Sequence, residues 1–239
     1  MRPGSAFAGG WILALLAAGA FAWLGQWQLG RAHAKQALLD AVQGTIAARA
    51  AGPLAAAGDG ARVRDFEWAA GEGVFIEAPP VLLDNQQRGG RAGVRAYRAF
   101  APGAGGTPLL VDLGWLPLPG DRTLPAVPRP RGPLRVEGLL APPPATGLGG
   151  AAHAVQDDGT VLATGLDPAA LAAALRQPAL APRVLRLDPA LPVGYERDLD
   201  VLPNTLPPER HLGYAFQWFA LAVAVIATAL VLTLRRSRR

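Results

Sequence analysis

The stretch Asn204-Thr-Leu-Pro-Pro-Glu-Arg-His211-Leu-Gly-Tyr214-Ala-Phe-Gln217-Trp218-Phe219 runs into an uncharged segment that ends at Leu234. From Leu212 to Leu234 there are 23 residues without a charge. That is enough to cross a hydrocarbon core of about 30 Å as a helix. Arg235, Arg236, Arg238 and Arg239 follow at once. Residues 211–234 therefore read as a transmembrane helix and 235–239 as a basic tail, with a proline-bounded approach that delivers His211 to the membrane surface.

At about 100° per residue this helix divides into two stripes. One carries His211, Tyr214, Ala215, Trp218, Ala222, Val225 and Ala229. The other carries Leu212, Phe216, Phe219, Val223, Ile226 and Leu230, bulky residues suited to lipid. Ala215, Ala222 and Ala229 recur every seven residues, so a partner helix can approach closely along that line. Trp218 and Tyr214 fit two readings: an interfacial aromatic belt, or a walled slot for a flat ligand with the His211 imidazole at its rim.

The partner helix is near the start. Residues 1–5 precede a 19-residue uncharged stretch, Ala6 to Leu24, long enough to span. Ala14, Ala18, Ala22 and Gly25 line one face, complementary to the alanine line of the second span. Ala20-Phe-Ala22 also resembles a signal-peptide cleavage site. The helical pattern continues past it unbroken, which favours a retained anchor. Residues 25–52 continue as an amphipathic extension, with Trp27, Gln28, Arg31 and Lys35 on one face and Gly52-Pro53 as the stop. Arg31 and Lys35, one turn apart, fit either headgroup contact or a pair of cations placed to meet the carboxylates of a ligand or partner.

The net charge of +5 does not mark a nucleic-acid binder. All 18 acids and 18 of the 23 basic residues lie between Gly25 and Arg210, so that region is formally neutral. The excess is Arg2 and the tail arginines, which flank apolar spans and act as a topology signal. The tail puts the C-terminus in the cytoplasm, and two spans put the N-terminus there too. Residues 53–210 then form a periplasmic domain. Its short hydrophobic runs are separated by Gly/Pro turns: Arg62–Trp68, Val74–Ala78, Val81–Asn85, Arg95–Ala101, Leu109–Trp115, Leu134–Leu140, Val161–Gly165 and Arg183–Leu187. One helix interrupts them, with Asp167 as N-cap, Pro168 in the first turn and Ala169–Arg176 as its body. The fold class is a membrane protein, α+β: two transmembrane helices flanking a periplasmic β-rich domain, an antiparallel sheet or partly open barrel.

The chemical inventory disfavours an enzyme. There is no cysteine, and the only serines are Ser5 and Ser237, which removes the commonest nucleophiles. His33, His153 and His211 share no helical metal-ligand spacing. Asp157-Asp158 before Gly159 reads as a solvated turn, and His153, beside Gly149-Gly150, as an exposed loop residue. A membrane-anchored hydrolase with a Thr or Asp nucleophile is a distant reading.

Four stretches carry a resemblance. They are Gly25-Gln-Trp27-Gln28-Leu29-Gly-Arg31 with Lys35; Val81-Leu-Leu-Asp84-Asn85; Leu110-Val111-Asp112-Leu113-Gly114-Trp115-Leu116-Pro117; and Pro203-Asn204 through His211-Leu-Gly-Tyr214 to Phe219. Together they resemble the surfeit locus protein 1 family of cytochrome c oxidase assembly factors, end to end. The central strands depart from its pattern: Asp112-Leu113 stands where the family has Asn-Arg, and Gln86 where an Arg is common.

The resemblance implies a non-enzymatic factor in the bacterial inner membrane. It would help insert haem a into, or stabilise it in, cytochrome c oxidase subunit I, alongside the haem a synthesis machinery. His211 matches the family histidine linked to haem and is the candidate axial ligand of the iron. Tyr214 and Trp218 would wall the site, and Arg31 and Lys35 would meet the propionates. The alternative is a membrane-anchored scaffold for nascent oxidase subunits that binds no haem.

Overall fold

A computed structural model of the chain describes residues 3–144, 146, 150–201 and 206–237. Arg2, Gly149, Pro203, Asn204, Arg238 and Arg239, singled out above, lie outside the described residues. The chain forms two compact units, Met1–Ala41 with Val201–Arg239, and Val42–Asp200.

The first unit is a helix pair. Helix α1 runs unbroken over Pro3–Ala48, its last turns belonging to the second unit. Arg49 then takes a left-handed conformation (φ 44°). The helix thus stops three residues short of Gly52-Pro53, which form strand β1 (Gly52–Pro53) instead. The last helix of the chain, α3 below, covers Pro208–Ser237. Its charges suit the helix dipole, with Glu209 in the first turn and Arg235 and Arg236 in the last. The apolar windows of the two long helices have mean hydropathies of 1.8 and 2.2, and only 6% of each is buried. Core helices of a soluble protein would be covered, so this architecture fits a two-pass membrane protein.

The two helices meet along a seven-residue repeat. On α1 the covered or half-covered positions include Trp11, Ala14, Ala18, Phe21, Gly25, Gln28, Ala32 and Lys35. On the C-terminal helix they include His211, Ala215, Trp218, Ala222, Val225 and Ala229. Alternating steps of three and four are the spacing of a left-handed supercoiled seam. The pairs run antiparallel. Gln28 meets His211, Phe21 stacks on Trp218 and Trp11 bonds Thr233. The expected alanine lines therefore sit in the seam. Two residues of the expected lipid stripe do not follow it: Ile226 is half-buried, and the Phe219 ring lies over Gly25. A Cβ there would come within 2.8 Å of that ring.

Replacing Ala222 with Leu is accordingly expected to wedge the helices apart. Because Ala18 and Ala222 both lie on the contact lines, a crosslink between Ala18→Cys and Ala222→Cys reports the seam and leaves Ala222 unavailable for the Leu substitution. The wedge is best tested at Ala215→Leu in that background, because Ala215 is 4% exposed. Crosslinking undiminished by Ala215→Leu would place the seam elsewhere.

The second unit is the β domain. Strand β1 is followed by two 3₁₀ turns, Leu54–Gly58 and Gly60–Arg62. Then come β2 (Glu67–Phe75), β3 (Val81–Arg88), β4 (Arg91–Pro102), β5 (Leu109–Pro117), β6 (Pro133–Ala141), β7 (His153–Val155), β8 (Val161–Ala163), helix α2 (Pro168–Ala174) and β9 (Val184–Leu187). The C-terminal helix is α3. Sheet order is β1-β2-β6-β9-β5-β4-β3-β8-β7, and β2 also pairs with β4. Strands β2, β6, β9, β5 and β4 thus close a ring, from which β3, β8 and β7 extend.

The sheet is mixed. Most pairs are antiparallel, but β1–β2, β3–β8 and β5–β9 are parallel. Parallel partners need crossovers, and α2 lies on the one that leads into β9. Asp167 Oδ1 accepts from the Ala169 and Ala170 N–H groups at 3.0 and 3.3 Å, as its N-cap position predicts.

The expected strands Arg62–Trp68 and Val74–Ala78 contribute only their inner ends to a single strand, β2 (Glu67–Phe75). Arg62 ends a 3₁₀ turn, and residues 63–66 and 76–78 are not strand. Gly71 and Gly73 looked like a turn, but they mark close approaches within a strand. A Cβ on Gly73 would lie 2.2 Å from the Ala101 carbonyl oxygen, and one on Gly71 would lie 2.9 Å from Leu54. His153 is exposed, as expected, but in edge strand β7 rather than a loop.

Both faces of β9, of β5 up to Trp115 and of most of β4 are buried, which explains their near-continuous apolar runs. Strand β2 and the start of β6 keep exposed positions such as Glu72, Val74 and Arg135. Inside, Phe75 and Phe100 meet edge to face at 5.1 Å, among Leu109, Val111, Leu113 and Val136. Outside, Leu110, Tyr97 and Val184 are covered by Leu171 of α2 and by Leu175 just after it. Asp112 breaks this apolar surface. Its carboxylate takes the Arg95 Nη1 at 2.7 Å, has Arg186 Nε at 3.9 Å, and accepts from the Gly114 N–H at 2.9 Å. The departure at Asp112 is thus a buried charge hub joining β4, β5 and β9. Gln86 contributes its carbonyl oxygen, which accepts from Trp115 Nε1 at 3.2 Å; this role is open to any side chain.

Residues 189–200 form a strap over β5. The Tyr195 N–H bonds the Leu113 oxygen at 2.6 Å, and the Trp115 N–H bonds the Glu196 oxygen at 2.7 Å. Asp198 pairs with Arg88 and Arg186. Burial pushes the Asp198 carboxyl upward, but the hydrogen bonds from Arg88 and the Asp200 N–H and the charges of Arg88 and Arg95 hold it below the ordinary value. A carboxyl depressed in the folded state stabilises it above the unfolded pKa, and that stabilisation is lost as pH falls through the folded value. The strap is therefore expected to loosen in acid, below the ordinary carboxylate value of 3.8. Protection of the Tyr195 and Asp200 amides against hydrogen exchange should drop there, and Asp198→Asn should abolish the step. Protection independent of pH would refute the assignment.

Candidate functional site

His211 sits in the first turn of α3, 8% exposed. Its Nδ1 lies 2.7 Å from Gln28 Oε1 on α1. An amide oxygen only accepts, so the proton is on Nδ1 and the lone pair is left on Nε2. That nitrogen is buried and has no partner. An orphaned buried acceptor is costly, and the arrangement is the one that orients a metal-ligating imidazole: one N–H given to an oxygen, the other nitrogen held for the metal.

Trp218, two turns on, stacks against Phe21 of α1, with centroids 5.6 Å apart and planes at 27°. The expected slot is thus filled by an aromatic pair within the seam. Tyr214 is 42% exposed. The seam follows a seven-residue repeat, so Ala215, one step round, takes the inner position and Tyr214 lies on the flank.

Lys35 and Arg31 are engaged differently. The Lys35 Nζ donates to the Leu206 carbonyl oxygen at 2.5 Å, tying the chain that enters α3 to α1. Arg31 is exposed. Lys35 therefore helps to position His211, while Arg31 is available to a headgroup or an anionic ligand.

Gln28 is the residue to which the sequence reading assigned no role. Extending the line Ala14, Ala18, Gly25 in alternating steps of four and three adds Phe21, Gln28 and Lys35, so a seven-residue count would have found it.

The SURF1 family model matches residues 15–223, from within the first apolar helix to within the second. The chain belongs to the SURF1 family. No curated protein matches the chain in sequence. The SURF1 match takes in Gln28, Arg31, Lys35, His211, Tyr214 and Trp218. The SURF1 family is generally associated with cytochrome oxidase assembly, and it is a family of assembly factors rather than a known class of enzyme.

Proposed function

We propose that this SURF1-family protein assists the insertion of haem a into, or its stabilisation in, subunit I of a cytochrome c oxidase, alongside the haem a synthesis machinery. In this reading it lies in a bacterial inner membrane with both termini cytoplasmic and the β domain periplasmic.

The observation that carries the reading is His211, with Nδ1–H committed to Gln28 and Nε2 without a partner. The donor chemistry fits haem iron. Haem a is cargo here, and one axial nitrogen suits a ligand that must be released again. Because Nε2 is buried, ligation requires the groups covering it to move aside while Gln28 keeps hold of Nδ1. Gln28 fixes the tautomer beforehand, and Lys35 tethers the chain leading into α3. Arg31 supplies an exposed cation for a propionate.

The protein purified from cells that make haem a is expected to carry a stoichiometric haem band in its visible spectrum. The closed position of Nε2 favours the alternative, a scaffold for nascent subunits that never touches haem, and a haem-free wild type would select it.

For topology, a reporter active only in the periplasm is expected to work when fused at Arg49 and to fail after Arg239. An active reporter at the C-terminus would reverse the orientation. A mature N-terminus at Trp23 would mean that the first span is cleaved.

A further inference from the structure

Away from His211, at the arginine end of the helix pair, α1 and α3 leave a cleft of about 660 Å³. This is within the ~300–1,000 Å³ of sites that hold small molecules. The cleft exists because the facing residues are small: Gly10, Ala14 and Ala17 on α1, Ala224 and Ala229 on α3.

Its polar atoms bond one another. Thr228 Oγ1 donates to the Ala224 oxygen at 2.8 Å and Thr233 Oγ1 to the Ala229 oxygen at 2.8 Å, while Trp11 Nε1 donates to Thr233 Oγ1 at 3.1 Å. With those hydroxyl protons already committed, the interior suits an apolar occupant. The mouth is different. Arg236 lines it, its guanidinium 5.3 Å from the Phe7 ring, and Arg235 is its neighbour in the last turn of α3. Arg238 and Arg239 follow in sequence.

Along α3 the cleft extends from Leu221 to Arg236. At 1.5 Å per residue that is roughly 22 Å, enough to pass through one leaflet, about 15 Å, or half the hydrocarbon core. An apolar trough one leaflet deep with arginines at headgroup level matches the chemistry of one lipid class.

We propose that this cleft binds an anionic phospholipid, one acyl chain lying between α1 and α3 and the phosphate held at Arg236. Arginine suits phosphate because its planar fork can donate two hydrogen bonds at once. A neutral lipid, an isoprenoid tail or a partner's transmembrane helix could fill the trough, but none of them would need the cationic mouth. The site is independent of whether His211 binds haem.

The test uses the full chain in a neutral detergent, with phosphatidylglycerol and phosphatidylcholine of identical chains as probes. Native mass spectrometry is expected to show one retained phosphatidylglycerol per chain, at least about tenfold more than phosphatidylcholine. Ala224→Trp, which fills the cleft, should remove that adduct while the 18–222 crosslink still forms, showing that the helix pair is intact. Arg236→Gln should lower phosphatidylglycerol to the phosphatidylcholine level. Equal retention of the two lipids by the wild type would overturn the proposal. So would an adduct that survives Ala224→Trp but not Arg236→Gln, since the lipid would then sit on the arginine surface alone.

Discussion

Replacing His211 with alanine is expected to strip haem from the purified protein while leaving its abundance in the membrane unchanged. One imidazole at the mouth of a 30-residue helix contributes little to insertion, whereas Nε2 is the only nitrogen that the seam holds oriented and unpartnered among the described residues. The yield of haem-loaded oxidase should fall with it. Gln28→Leu separates ligation from mere packing. It keeps the ring in place but removes the acceptor that fixes the tautomer, so haem retention should weaken by roughly 10–100-fold, the usual effect of losing a ligand's outer partner. Arg31→Ala should weaken it less. A full haem complement on His211→Ala protein would show the ligand assignment to be wrong. The scaffold reading would gain only if the wild type also lacked haem.

The second large effect is expected in the β domain. Asp112→Ala should destabilise it by about 3–5 kcal/mol, the range for removing one partner of a buried ion pair. The Asp112 side chain is 3% exposed, and the Arg95 and Arg186 side chains are 12% and 10% exposed. Removing the carboxylate between their guanidinia leaves Asp198, 3.5 Å from Arg186, as their remaining counter-charge. Arg186 Nε already has no hydrogen-bond partner. Asp112→Asn restores the residue that the family pattern has at this position. It keeps the volume and an oxygen for the Gly114 N–H, so it should cost less, about 1–3 kcal/mol. Urea unfolding followed through Trp68 and Trp115 fluorescence would rank the three proteins. An Asp112→Ala midpoint equal to the wild type would mean that the arginines relax into solvent and that the hub is dispensable.

Much of this protein is written locally. The uncharged runs, the flanking arginines, the Asp167-Pro168 helix start and the alanine spacing each act within one turn or one membrane thickness, and each was legible without the fold. The family motifs around Gln28 and His211 were equally plain as strings.

The tertiary structure decided what depends on distant partners. Tyr214 lies outside the seam because the contact line steps from His211 to Ala215 and Trp218, and Phe219 lies against Gly25 because that glycine leaves room for its ring. Gly71 and Gly73 are strand residues because Leu54, Phe100 and Ala101 press on them. Asp112 is tolerable in a buried surface because Arg95 and Arg186 arrive from other strands. His211 is oriented because Gln28, 183 residues earlier, presents an oxygen to its Nδ1. Composition and periodicity report which face a residue prefers. Only the packed helices determine which nitrogen of an imidazole is left with its lone pair.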